Sequence, residues 1–157
     1  SVARMLEAII DATPIAVGLA APQIGVELRV AVVKPGAEAI YLIDPSIVTL
    51  SGKKDRKRES CLSVWGYAGE VERREKVLVR YLDAEQGYME RQFRSFEARV
   101  VQHEVDQLEG HLYLDHVDGP LAHADLFEGH EPTLSLEGSG DAMLTSLESG
   151  RGPDVGV

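Results

Sequence analysis

One stretch of helical spacing follows a long run of strand-like segments. Phe96, Val100, Val101, Val105 and Leu108 recur at helical spacing, and Gly110 stands where such a helix would stop. Inside it lies Gln102-His103-Glu104-Val105-Asp106-Gln107. A helix advances about 3.6 residues per turn, so positions 103 and 107 share a face one turn apart. In the H-E-x-x-H pattern both positions are His and hold one metal, with the Glu as general base. Here position 107 is Gln.

The rest of the chain must supply what this helix packs against. Val2, Met5, Leu6, Ile9 and Ile10 predict an amphipathic helix over residues 2 to about 12, ended by Thr13-Pro14. The small residues of Val17-Gly18-Leu19-Ala20-Ala21-Pro22-Gln23-Ile24-Gly25 allow close approach to the backbone. Strands are expected over 28–34 and 39–44, separated by Pro35-Gly36, then over 47–50, 70–74, 77–82 and 88–93. The basic run Lys53-Lys54-Asp55-Arg56-Lys57-Arg58 reads as a solvated loop or a charge-guarded edge strand. Helix, antiparallel-looking strands and a final long helix make an α+β arrangement, a helix laid on a mixed or antiparallel sheet.

No internal repeat or second domain is visible, and the domain is expected over residues 1–120. Residues 121–157 read as an acidic, Gly/Ser-rich, mobile tail. From Gly119 onward there are seven Asp or Glu against one Arg, and seven of the 15 Gly. The formal net charge of -10 argues against nucleic-acid binding, which needs clustered Lys and Arg. No apolar run approaches the roughly 18 residues of a membrane span, and no secretory signal is visible. A single cysteine suits a reducing compartment, so a cytoplasmic location is expected.

Taken singly, the candidate residues have plain structural readings. A lone Cys61 is most often a small buried hydrophobe. A His103-Glu104 dipeptide occurs by chance, and Gln23 could satisfy backbone groups at a strand end. In order, however, Gly18-Leu19-Ala20-Ala21-Pro22-Gln23, Glu59-Ser60-Cys61-Leu62-Ser63 and Gln102-His103-Glu104-x-Asp106-x-Leu108-x-Gly110 resemble the three signature motifs of peptide deformylases. Those motifs run G-x-G-L-A-A-x-Q, E-G-C-L-S and Q-H-E-x-D-H-L-x-G. The similarity extends over roughly residues 2–118, through Phe93-Arg94-Ser95-Phe96 and Leu112-Tyr113-Leu114-Asp115.

The resemblance implies a deformylase-like fold, antiparallel or mixed sheets around a long metal-binding helix. It implies a metal-dependent amidase that takes formyl from the N-terminal methionine of new polypeptides. One Fe(II) or Zn(II) per chain would be held by Cys61, His103 and the residue at 107. Glu104 would move the proton between water and the departing amine. The Gln23 amide and the Leu62 backbone N–H would stabilise the oxyanion. Val17, Gly18 and Ser60 match positions lining the cleft for N-formyl-methionyl peptides.

Three departures qualify that expectation. Ala16 and Ser60 stand where the family has Gly, and Ser60 narrows the cleft or adds a hydroxyl to it. Gln107 replaces the second imidazole with a poorer donor for a borderline cation, so the ion is expected to be held more weakly and turnover impaired. His111 lies two turns past His103 and beyond Gly110, too far to compensate, and His116, His123 and His130 read as surface residues. The front segment of some thirty residues and the basic C-terminal helix of some relatives are expected to be missing, so ribosome docking by that route is not expected. The alternative to an enzyme is a deformylase-like binding protein with a weakened metal site and little or no turnover. A general H-E-x-x-H protease lacks its second His and gives Cys61 no role.

Overall fold

The computed structural model describes residues 1–83 and 85–124. Helix α1 covers Val2–Ala12, as its apolar spacing predicts, and buries Ala3, Leu6 and Ile10 while Met5 and Ile9 face outward. The Thr13 N–H closes it on Ile10 O. Strands β1 (Gly18–Ala20) and β2 (Val30–Val33) follow, with a 3₁₀ turn at Ala21–Ile24 between them. Strands β3 (Ile40–Cys61) and β4 (Val64–Asp83) form one long hairpin, and β5 (Gly87–Arg94) leads into helix α2 (Ser95–Leu108). A 3₁₀ turn at Tyr113–His116 and the short strand β6 (Ala122–His123) complete the described chain.

All strand pairings are antiparallel, in the order β1-β2-β3-β4-β5, with β6 on the far part of β4. Near the start of β3 the sheet is broad, and period-two alternation divides its side chains between the helices. Ala20, Ala31, Val33, Leu42, Val77, Val79 and Phe93 pack with Ala98, Val100, Val101 and Val105 of α2. Leu19, Val32 and Tyr41 turn the other way, onto Ala3, Leu6 and Ile10 of α1. Each such fully buried Val, Leu or Phe contributes roughly 1.5–3 kcal/mol through removal from water, so α2 is fixed from end to end.

The separate strands expected at 39–44 and 47–50, and at 70–74 and 77–82, are parts of β3 and β4. Pro45 does not end β3, because it sits at a bulge between Ile43 and Ser46, where a missing N–H costs no ladder bond. Residues 53–58 belong to the same strand and pair with β4 alone, so the basic run is a charge-guarded edge. The far half of the hairpin bends over α2, and β6 and Val117 pair along β4 beside it. Residues 122–124 lie on this framework, and of the tail expected from 121 onward residues 125–157 fall outside the described residues. Among the described residues no helix is long and apolar enough to cross a membrane.

Candidate functional site

Cys61 ends β3 at the tight turn into β4 and is fully buried. Burial pushes its thiol above the ordinary value, while the Ser63 backbone N–H pulls the other way. Two carboxamides flank the sulfur, with Gln23 Nε2 and Gln107 Nε2 each 3.6 Å from Sγ. Gln23 is fixed at both ends: its Oε1 accepts from the Ala20 N–H at 2.8 Å and its Nε2 donates to Ser63 Oγ at 3.0 Å. Gln107 is buried and its Oε1 has no partner.

Position 103 lies one turn before 107 on α2 and faces the same way. The His103 ring is buried and stacks on Tyr113 with centroids 6.2 Å apart. Its Nδ1 lies 3.0 Å from Glu59 Oε2, and its Nε2 has no partner. Glu59 also accepts from Arg73 (Nε at 2.7 Å, Nη2 at 3.1 Å) and from Arg99 Nη1 at 2.6 Å. Burial would raise the Glu59 carboxyl, but hydrogen bonds from His103 and Arg73 outweigh it and hold the group at about 2. Burial in turn pushes His103 below its ordinary value, against the pull of Glu59. A neutral imidazole facing an ionised carboxylate keeps its proton on Nδ1, which leaves the Nε2 lone pair free.

Glu104 is wholly buried, neither carboxyl oxygen has a partner, and burial pushes it up to about 8. Its carboxyl lies flat against Gly18, where an added Cβ would fall 2.5 Å from Oε1 and 3.0 Å from Val100 Cγ1. Gly18 is therefore required by close approach. Val17 is half-buried against the α2 core, and its carbonyl accepts from the Lys34 N–H at 2.7 Å. Leu62 packs between two apolar clusters, and Ser60 is buried with its Oγ unpartnered.

Thus one region gathers Cys61, Gln23 and Gln107 around a sulfur, with His103 one turn away and Glu104 against Gly18. His111 is exposed and pairs with Asp115, and the His123 ring lies tilted against Tyr67 with centroids 5.0 Å apart. His116, half-exposed, reaches Asp106 Oδ2 at 3.1 Å. His130 lies outside the described residues.

Residues 1–122 match the family described as polypeptide deformylase. The chain belongs to the polypeptide deformylase family. It is similar to the peptide deformylase of Desulforudis audaxviator, with 49% identity over 100 residues, 63% of this chain and 65% of that protein. The enzyme of Agathobacter rectalis is 39% identical over 117 residues, 74% of this chain and 72% of that one. Among solved structures, the actinonin-bound class I type b peptide deformylase of Acinetobacter baumannii superposes with a TM-score of 0.68 at 37% identity, covering 74% of this chain and 78% of that one. The Thermotoga maritima peptide deformylase gives 0.66 at 30% identity, over 76% and 85%. The matched region spans 65% and 57% of the length of two of the curated relatives. The α+β fold of this deformylase-family chain, its antiparallel sheet wrapped on α2, agrees with those structures.

Membership implies a metal cofactor, and the donor atoms accord with one. His103 Nε2, Gln107 Oε1 and both Glu104 oxygens are buried without partners, an arrangement that costs free energy unless something charged or polar meets them. Among the described residues no three His, Cys, Asp or Glu side chains form a ligand cluster, and position 107 supplies a carboxamide.

Sequence reasoning gave no role to Glu59, Arg73, Arg99 or Asp106. Yet Arg73 Nη1 binds Asp106 Oδ2 at 2.8 Å, extending a chain of polar contacts from His103 to His116. One signal was available: Arg99 sits one turn before His103, among apolar residues at core spacing, where a cation needs a buried partner.

Proposed function

We propose that this chain is a metal-dependent hydrolase that removes the formyl group from N-terminal formyl-methionine of peptides. The observation that supports the reading best is the set of buried, unpartnered polar atoms at His103, Glu104 and Gln107, with Gln107 Nε2 3.6 Å from the Cys61 sulfur. Cys61 Sγ, His103 Nε2 and Gln107 Oε1 would hold one Fe(II) or Zn(II). Such an ion supplies Lewis acidity and lowers the pKa of water toward neutrality.

Glu59, ionised down to about pH 2, keeps the His103 proton on Nδ1 and orients the ring. Glu104 accepts a proton from water at a carboxyl oxygen and returns it to the departing amine. Burial holds it at about 8, and a cation held beside it would lower it toward neutrality. Gly18 lets that carboxyl approach the strand. The Gln23 amide, locked by Ala20 and Ser63, presents a fixed N–H toward the sulfur, where it and the Leu62 backbone N–H would meet developing negative charge. Val17, Gly18 and Ser60 would line the methionyl cleft.

The test compares metal content and formyl-Met-Ala hydrolysis for the protein, Gln107→His and Glu104→Gln. The reading expects about one metal per chain, turnover by the protein, faster turnover by Gln107→His and near-complete loss in Glu104→Gln. Turnover by Gln107→His alone would mark a formyl-peptide-binding protein with a weakened site. Undiminished turnover in Glu104→Gln would overturn the mechanism.

A further inference from the structure

Two carboxamides touch the Cys61 sulfur, and they are not equivalent. Gln23 has both ends engaged, its oxygen by Ala20 and its nitrogen by Ser63, so turning it over would break two hydrogen bonds. Gln107 has only the long Nε2 contact to Sγ at 3.6 Å, and its buried oxygen has no partner. A half-turn about the last side-chain torsion exchanges the two ends within the same volume, a torsion with a broad energy profile. The Gln107 oxygen can therefore take the place beside the sulfur that the nitrogen now holds, and α2 carries it one turn from His103 Nε2.

We infer that Gln107 turns its carboxamide oxygen onto the ion and makes this centre less selective for Zn(II) over Mn(II) than an imidazole there would. The inference rests on the metal centre proposed above and concerns which ion that centre prefers. Gln and neutral His carry the same charge, so the difference lies in the donor atom. Imidazole nitrogen suits Zn(II), Fe(II) and the later first-row ions, whereas a carbonyl oxygen suits Mn(II) and other hard cations. Cys61 and His103 remain to favour zinc, so the expected effect is a narrowed preference and not a reversed one. The buried surroundings of Gln107 keep water from easily replacing its oxygen as donor.

The test measures dissociation constants for Zn(II), Fe(II) without oxygen, and Mn(II), by competition with chromophoric chelators. The proteins are the unchanged chain, Gln107→His and Gln107→Leu, each checked for helix content by circular dichroism. Gln107→His should tighten Zn(II) about 10–100-fold. Mn(II) should gain far less, so the zinc-to-manganese preference rises about tenfold or more. Gln107→Leu should weaken every ion. An unchanged preference in Gln107→His, or a folded Gln107→Leu that binds as tightly as the unchanged chain, overturns the inference. Should Gln107→Leu fail to fold, the Gln107→His ratio decides alone. A shifted ratio without deformylation would sink the enzymatic reading and leave this one standing. Deformylation with an unshifted ratio would do the reverse.

Discussion

Replacing Glu59 by Gln removes one negative charge from a place where it faces two guanidinium groups and an imidazole. Glu59, Arg73, Arg99 and His103 are all buried, so water cannot take over the lost interactions. Two routes give the cost. Truncating one partner of a buried ion pair typically destabilises by about 3–5 kcal/mol, because the remaining charge is left without compensation. Independently, the Glu59 carboxyl is held at about 2 against an ordinary 4.5, a depression worth roughly 3 kcal/mol. The sign follows from proton counting. Between pH 4.5 and 2 the unfolded chain binds a proton that the folded chain refuses. The Glu59 contribution is thus complete above pH 4.5 and lost as pH falls through 2. Urea unfolding of the metal-free protein at pH 7 should therefore show Glu59→Gln less stable by about 3 kcal/mol. The difference should shrink toward zero near pH 2. A loss below about 1 kcal/mol at pH 7, or one that does not change with pH, would refute the reasoning.

Gly18→Ala should cost about 1–3 kcal/mol by overpacking, since the new methyl must push aside the Glu104 carboxyl or Val100. It should also lower kcat for formyl-Met-Ala more than it raises KM; denaturation and steady-state kinetics check both. For Glu104, held at about 8 against 4.5, the sign is opposite to that for Glu59: the folded chain keeps a proton the unfolded chain releases, so stability falls as pH rises from 4.5 to 8. In metal-free protein Glu104→Gln should gain roughly 3 kcal/mol at pH 7 and almost nothing at pH 4.5. Urea midpoints at the two pH values read this directly, and an equal gain at both would contradict it.

Much of the framework was legible because local signals agreed with the tertiary ones. Thr13-Pro14 ends α1, and Gly110 adopts a left-handed φ of 85° just past α2. The Gly18–Gln23, Glu59–Ser63 and Gln102–Gly110 motifs lie on β1 and its turn, the β3–β4 turn and α2. The continuity of β3 through Pro45 was not legible, because it depends on where β2 stops pairing. Nor was the outward face of α1: Met5 and Ile9 fit its apolar spacing as well as Leu6 and Ile10 do. The Glu59–Arg73–Arg99 cluster escaped notice because charged residues on β3, β4 and α2 reveal their pairing only after the hairpin bends over the helix. Gln23 and Gln107 show a related limit. Sequence gives both as amides, and only the fold distinguishes the pinned one from the free one.

Zinc-edge X-ray absorption on the zinc-loaded protein tests the proposed centre most directly. One sulfur scatterer at about 2.3 Å with nitrogen or oxygen scatterers at about 2.0–2.1 Å is expected, the sulfur disappearing in Cys61→Ser. A bound ion with no sulfur neighbour in the unchanged protein would contradict the account.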